Sequence, residues 1–137
     1  MIGAFEELLE ELGKIFHLLL HIDHMNACSI QVSENLTIQL EPDMAQENLW
    51  IFCKVIEIPP GKFRENVLRD ALKANGLPDP RIGHFGYIEN TGHLALFQKY
   101  PLNILNGERL AGFIGAFLEM AARWQKGIAN GHTDGLQ

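Results

Sequence analysis

The sequence predicts a single α+β domain in which helices and strands follow one another in the order α-β-β-β-α-β-β-α, with the strands in a twisted antiparallel sheet. Three observations predict this fold. The chain has 137 residues, the size of one ordinary domain. Its 47% of apolar and 20% of charged residues are typical of a globular protein. Stretches with the apolar spacing of a helix and stretches with the alternation of a strand succeed one another along the chain.

The first element is predicted to be an amphipathic helix. Apolar residues recur at spacings of three and four between positions 2 and 16, and the opposite face carries Glu6, Glu7, Glu10 and Glu11. These glutamates lie mostly near the helix start, where the helix dipole favours acidic side chains. Gly13 loosens the last turn, and the apolar residues 18–20 continue as a connector towards the sheet.

Three strands are predicted next. Residues 28–32 and 36–40 alternate apolar and polar side chains around a short polar link, which indicates an antiparallel hairpin with one buried face. Residues 49–58 differ, because Trp50 and Phe52 make the second face of this strand apolar as well. Helices can hardly cover both sides of the sheet in so small a domain. We therefore expect the second face to contact something outside the core.

The second half of the chain is predicted to form a helix, a hairpin and a closing helix. An apolar stripe begins at Phe63, and Asn75 with Gly76 ends this second helix. Residues 85–88 and 94–99 are predicted to be two weaker strands joined by the turn at 89–92. The closing helix is expected at about residues 107–126. The domain would then span residues 1–126, and residues 127–137 would form a flexible tail.

The charge balance excludes two classes of partner. The chain has 11 Lys and Arg residues against 17 Asp and Glu residues, a net charge of −6. It therefore has neither the basic face that nucleic acid requires nor the polybasic run that binds anionic membranes. The first residues are acidic, unlike those of a signal peptide, and no apolar run approaches the ~20 residues of a membrane span. We expect a cytoplasmic protein that binds neither nucleic acid nor membrane.

No group of residues forms a recognisable catalytic motif. His17, His21 and His24, together with Asp23, have a spacing that suits a metal ion when it falls on a helix. This segment runs from the helix into the connector, so surface histidines are the favoured interpretation. A small metalloenzyme or ligand-binding domain built on these residues is retained as a distant alternative.

The cysteines and glycines do not indicate catalysis either. Cys28 and Cys53 lie within predicted strands, so we expect buried, reduced and inert thiols. The glycines at 83 and 86 are too sparse for a phosphate-binding loop, and the sequence has no Walker-type lysine motif, which excludes ATP-driven work. We expect no enzyme, no cofactor and no metal.

The order and spacing of the elements carry a family resemblance. The helical start reads Phe5-x2-Leu8-Leu9-x2-Leu12-Gly13, and the first strand is entered through Leu20-x2-Asp23-x4-Cys28-x-Ile30. The closing helix reads Phe113-x3-Phe117-Leu118-x2-Ala121-x2-Trp124. In these motifs, in length and in acidity, residues 5–126 resemble the class I type III secretion chaperones of the Tir chaperone (CesT) family. The resemblance implies a secretion chaperone-like α+β fold.

The resemblance also implies a function and its surfaces. It implies an ATP-independent homodimer in the bacterial cytoplasm that binds the extended N-terminal segment of secreted effectors and keeps them soluble and secretion-competent. It suggests the secretion ATPase as a further partner. The apolar grooves for the effector would be lined by Phe5, Leu8, Leu9, Leu12, Ile30, Ile38, Trp50 and Phe52. The dimer interface would use Phe63, Val67, Leu68, Leu72, Phe85 and Tyr87.

Two questions stay open on the sequence alone. An apolar stripe at helical spacing is as typical of a core as of a ligand groove, so the role of the first helix is undecided. The same fold could also serve a regulatory protein that sequesters an anti-activator or a transcription factor. The apolar connector at residues 18–20, with its three nearby histidines, departs from the family pattern and has no assigned role.

Overall fold

The helices and strands occur in the predicted order. The computed structural model describes residues 3–78 and 80–133. In these residues the helices are α1 (Ala4–Phe16), α2 (Lys62–Asn75) and α3 (Gly107–Ala129), with a short 3-10 turn at Leu102–Ile104 before α3. The strands are β1 (Cys28–Ser33), β2 (Leu36–Pro42), β3 (Asn48–Glu57), β4 (His84–Ile88) and β5 (His93–Pro101). The predicted fold class is confirmed.

The five strands form one antiparallel sheet in the order β1-β2-β3-β5-β4. The central strand β3 has a bulge between Lys54 and Ile56. The side-chain amide of Gln125 on α3 donates hydrogen bonds to the carbonyl oxygens of Val55 (2.8 Å) and Asn35 (3.0 Å). One α3 side chain therefore satisfies a carbonyl at the bulge and ties it to the β1–β2 turn.

The helices pack on one face of the sheet. Along β3, burial alternates: Leu49, Ile51 and Cys53 are fully buried, whereas Trp50 is 39% exposed. The largest core side chain is Trp124 of α3, which is fully buried. Its ring centroid lies 4.3 Å from that of Phe85 on β4. The core thus lies between the helices and the inner face of the sheet, and the other face carries a different set of side chains.

Helix α1 is joined to the start of α3 by one carboxylate. The Gly107 amide, at the first residue of α3, donates a 2.6 Å hydrogen bond to Oε2 of Glu11. A negative group at a helix N-terminus is favoured by the unpaired amides and the helix dipole there. A Cβ added at Gly107 would lie 2.6 Å from the Cβ of Glu11, so the two helices meet at a point that only glycine allows.

The C-terminal boundary differs from the prediction. Helix α3 continues to Ala129, past the expected end at residue 126, and Gly127 and Ile128 are buried. The chain then folds back, and the hydroxyl of the buried Thr133 donates to the Asp70 carboxylate on α2. The flexible tail therefore does not begin at residue 127, because burial outweighs the low helix propensity of glycine. The predicted tail residues 134–137 lie outside the described part of the chain.

Candidate protein-binding surface

The side of the sheet that the helices leave uncovered carries an aromatic cluster, and we call it the open sheet face. Two rows of residues cross the strands on this face. One row places Glu41, Trp50 and Lys99 side by side on β2, β3 and β5. The second row is Gln39, Phe52, Phe97 and His84. The open sheet face is defined by these seven residues.

The rings of this cluster contact each other while remaining partly exposed. The Trp50 and Phe97 centroids are 6.3 Å apart, and those of His84 and Phe97 are 6.1 Å apart. The Lys99 ammonium lies 5.4 Å from the centre of the Trp50 ring, within the range of a cation–π interaction. Together with Gln39, Glu41 and Phe52, these rings line a shallow groove. An aromatic centre with a polar rim is typical of protein interfaces.

A second apolar surface is formed by α2, β4 and the loop between them. Leu72 of α2 is 70% exposed, and Tyr87 of β4 is also exposed, with the Arg64 guanidinium 5.7 Å from the centre of its ring. Leu77 and Ile82 in the intervening loop are exposed too. We call Leu68, Leu72, Leu77, Ile82 and Tyr87 the α2–β4 face. Exposed apolar side chains on neighbouring elements indicate an interaction surface.

The two edges of the sheet are not equivalent. At β4, the Phe85 amide donates to Oδ1 of Asn75 (2.7 Å), and the Asn75 side-chain amide donates to the Phe85 carbonyl (2.9 Å). Helix α2 thus occupies the backbone amide and carbonyl of Phe85, so these two groups are not free to pair with an added strand at this edge. The opposite edge, β1, has only β2 beside it in the sheet.

The family model for the Tir chaperone protein (CesT) family matches residues 7–125. The chain belongs to the CesT family. This confirms the resemblance stated from the sequence. None of the curated proteins compared with the sequence matches it.

Solved structures of type III secretion proteins share the fold. The HopA1–SchA chaperone–effector complex matches with a TM-score of 0.71 and 20% identity, covering 90% of this chain and 94% of the other. The Yersinia pestis type III secretion chaperone SycH, solved with a fragment of YscM2, matches with a TM-score of 0.68 and 20% identity. The match covers 83% of this chain and 93% of the other. The ExoT–SpcS complex of Pseudomonas aeruginosa matches with a TM-score of 0.65 and 17% identity, and the match covers 88% of this chain and 97% of the other. At these identities the similarity establishes the fold of this CesT chaperone.

Six of the predicted groove residues belong to the core of this CesT-family chain. The buried residues are Phe5, Leu8, Leu9, Leu12, Ile30 and Ile38. The α1 stripe packs inward, so it is a core stripe. β1 and β2 likewise turn Ile30 and Ile38 to the helix side. The prediction that these side chains line an exposed groove is corrected for the described chain. Of the predicted groove residues, Trp50 and Phe52 lie on the open sheet face.

The predicted dimer residues also divide into two groups. Val67 and Phe85 are buried, and Phe85 packs on Trp124, so both serve the core of the chain. Leu72 and Tyr87 are exposed on the α2–β4 face. Phe63 and Leu68 are half-buried against the core. The assignment of Val67 and Phe85 to the interface is corrected for the described chain, because Val67 has no exposed surface and Phe85 is only 6% exposed.

The histidines and cysteines form no reactive centre within the described residues. No group of three or more His, Cys, Asp or Glu side chains there is placed to hold a metal ion. Cys28 and Cys53 are free and buried. Burial raises the pKa of the Cys53 thiol to about 11, and burial also raises the pKa of Cys28. Both thiols are therefore protonated and unreactive at neutral pH. In the same ranges, no helix is long and apolar enough to cross a bilayer.

Sequence reasoning missed two of the four rings on the open sheet face, those of Phe97 and His84. Phe97 is apolar but lies at the alternate position of β5 from Leu94 and Leu96, whose side chains point to the core. That break in alternation is a usable signal for an apolar side chain on the outer face. His84 has no comparable signal, because its contact with Phe97 depends on the order of β4 and β5 in the sheet.

Proposed function

We propose that this CesT-family chaperone binds an extended N-terminal segment of a type III secreted effector across the open sheet face, and so keeps the effector soluble and secretion-competent. The observation that carries the proposal is the Trp50–Phe97 cluster, which lies partly exposed on the sheet face opposite the core. Aromatic side chains on a solvent-exposed sheet indicate a partner, because their burial is what stabilises most interfaces. We infer no catalytic role and no use of ATP.

The geometry supports an extended or amphipathic ligand. The groove beside Trp50 and Phe52 is open and shallow, so it suits side chains of a passing segment better than a small molecule. Gln39, Glu41 and Lys99 at its margin can bond the polar groups of that segment. Strand β1 is the edge at which the effector backbone can add by β-augmentation.

We further propose that the chaperone is a homodimer that associates through the α2–β4 face. Leu72 and Tyr87 are the exposed apolar anchors of that face. Because Asn75 already pairs with both backbone groups of Phe85, the two copies would meet through side chains and not through a continuous β4–β4 ladder at that residue. Family membership supports a cytoplasmic location and the secretion ATPase as a later partner.

The effector proposal is tested with a double variant of the aromatic cluster. Trp50→Ala with Phe97→Ala is compared with Met44→Ser, whose fully exposed side chain lies in the β2–β3 turn. The measured quantity is the affinity for the N-terminal segment of a secreted protein that co-purifies with the chaperone. The double variant should bind at least about tenfold more weakly, and Met44→Ser should bind normally. An unchanged affinity of a folded double variant would overturn the proposal.

A gene deletion distinguishes the effector chaperone from a regulator that sequesters a transcription factor or an anti-activator. Loss of secretion of one effector, with secretion genes transcribed normally, supports the chaperone. Altered transcription of secretion genes, with secretion otherwise intact, supports the regulator.

A further inference from the structure

Three asparagines of the chain are followed directly by glycine, and they are Asn75, Asn106 and Asn130. An asparagine in this position is prone to lose ammonia from its side chain, because glycine has no side chain to hinder attack by its own backbone nitrogen. The reaction requires a free asparagine side chain and a backbone that can bring the two groups together. The three sites differ in how firmly the fold holds these groups.

At Asn75, both reacting groups are held. The side-chain oxygen accepts from the Phe85 amide (2.7 Å), and the side-chain amide donates to the Phe85 carbonyl (2.9 Å). The Gly76 amide donates to the carbonyls of Leu72 (3.2 Å) and Lys73 (3.1 Å). The Gly76 nitrogen can attack the Asn75 side chain only when these bonds open together, which makes the reactive state rare.

Asn106 is held in a different way. Its Oδ1 accepts from the Arg109 amide (2.8 Å), because Asn106 is the N-cap of α3. The Gly107 amide donates to Oε2 of Glu11 (2.6 Å), and Gly107 is buried against α1. A nitrogen that is bonded to a carboxylate within a contact between two helices is not free to turn towards the Asn106 side chain.

Asn130 lacks these restraints. It is exposed at the end of α3, and its side chain has no hydrogen-bond partner in the described part of the chain. The Gly131 amide bonds the Ile128 carbonyl (3.0 Å), which belongs to the last turn of the same helix. Gly131 has a φ of 84°, and a Cβ built there would meet no atom within 4 Å. The side chain and the backbone nitrogen at this site therefore have room to meet.

We propose that Asn130–Gly131 is a site of spontaneous deamidation that alters the C-terminal end of the domain. Base removes the proton of the Gly131 amide, and the nitrogen forms a bond to Cγ of Asn130. The bond between Cγ and the side-chain nitrogen breaks, and that nitrogen leaves as ammonia after taking a proton from water. Water then opens the cyclic succinimide at either carbonyl, which gives aspartate or isoaspartate. This modification depends neither on the open sheet face nor on the α2–β4 face.

Both products act on the segment that folds back after α3. Aspartate places a negative charge at the C-terminus of the helix, where the helix dipole disfavours it. Isoaspartate adds a methylene group to the main chain, just before the His132 amide that bonds the Gly127 carbonyl (2.9 Å). Residues 131–133, which bring the Thr133 hydroxyl to Asp70 on α2, should therefore loosen.

The test compares the three sites within one protein, by peptide mapping with mass spectrometry after incubation at mildly alkaline pH. In the folded chain, Asn130 should convert at least about tenfold faster than Asn75 and Asn106. In urea, which removes the protection by the fold, all three should convert within about threefold of one another. Glu11→Ala frees the Gly107 amide, so it should accelerate conversion at Asn106 and leave Asn130 unchanged.

The consequence for the fold has its own measurement. The converted protein carries one more negative charge and can be separated by ion exchange. Hydrogen exchange of its His132 amide should be faster, and that of its Phe85 amide unchanged. Thr133→Val removes the bond to α2 and should speed conversion at Asn130, whereas the control Thr37→Val, at an exposed position of β2, should not.

Two results would overturn the proposal. The first is equal conversion of the three asparagines in the folded chain, which would show that the fold does not select Asn130. The second is an Asn130 that converts in urea but not in the folded chain. Unchanged exchange of the His132 amide in the converted protein would overturn the inferred loosening.

Discussion

Single side chains hold distant parts of the chain together. Glu11 caps the start of α3, Gln125 bonds the β3 bulge, and Asn75 pairs with the backbone of Phe85. Each bond joins two different elements, and those of Glu11 and Gln125 join elements that are far apart in sequence, so each contributes to the tertiary arrangement and little to its own helix. Loss of one partner leaves a buried or half-buried polar group without a bond, which costs ~1–3 kcal/mol.

The glycines of α3 provide a matched set of substitutions. A Cβ at Gly107 meets the Glu11 Cβ at 2.6 Å, whereas a Cβ at Gly112 or Gly115 meets nothing within 4 Å. Gly107→Ala should therefore lower the free energy of unfolding by ~1–3 kcal/mol, through overpacking. Gly112→Ala and Gly115→Ala should each raise it by up to ~1 kcal/mol, through helix propensity. Urea denaturation measures all three, and a Gly107→Ala protein as stable as the parent would contradict the α1–α3 contact.

Burial of Cys53 predicts how stability depends on alkaline pH. Desolvation raises its pKa from 9.0 to about 11, so the folded state holds the proton after the unfolded state has released it. This contribution to stability is complete below pH 9 and should be lost as the pH rises through about 11. Cys53→Val, which cannot titrate, should show a smaller loss between these values in urea titrations. An identical pH profile for the variant and the parent would refute the assignment.

The edge strand β4 depends on α2. Asn75 occupies both backbone groups of Phe85, and Phe85 in turn packs on Trp124. We expect Asn75→Ala to lower the free energy of unfolding by ~1–3 kcal/mol, because two backbone groups lose their partners. Asn75→Asp should fail to restore it, since a carboxylate cannot donate to the Phe85 carbonyl. Hydrogen exchange of the Phe85 amide gives the direct measurement, and unchanged protection in Asn75→Ala would contradict the expectation.

The sequence predicted the order of the elements because each has a clear period. The alternation of β1 and β2, and the three- and four-residue spacing of α1, identify an element and its apolar face. They do not identify what covers that face. The α1 stripe with Leu8 and Leu12 is therefore predicted to line a groove, whereas in the structure it is buried in the core. The sequence predicts Trp50 on the outer face, and it lies there, since an apolar residue at a polar position of β3 has no place in the core. The contact of Trp50 with Phe97 required the β3–β5 register, which only the tertiary structure provides.

Apolar surface remains exposed on the molecule after the core is filled. The open sheet face and the α2–β4 face carry it on separate groups of strands and helices, which suits one surface for the effector and another for self-association. The net charge of −6 keeps such a surface soluble.

The proposed dimer predicts a change of mass on a single substitution. Leu72→Asp introduces a charge at a position that is 70% exposed in the single chain, so its own fold should be unaffected. In a dimer built on the α2–β4 face the same charge would be buried without a partner, and the variant should be monomeric. Light scattering coupled to size exclusion measures this, with Met44→Asp as the control. A dimeric Leu72→Asp protein, or a monomeric parent, would rule out this interface.

The chain contains two tryptophans, and they report on different places. Trp50 lies on the open sheet face and Trp124 is fully buried in the core. The most direct test of effector binding is therefore a titration of the chaperone with the effector's N-terminal segment, followed by the two indole N–H signals in NMR. We predict that the Trp50 signal shifts to saturation while the Trp124 signal stays in place. A bound segment that leaves the Trp50 signal unchanged would contradict binding on the open sheet face.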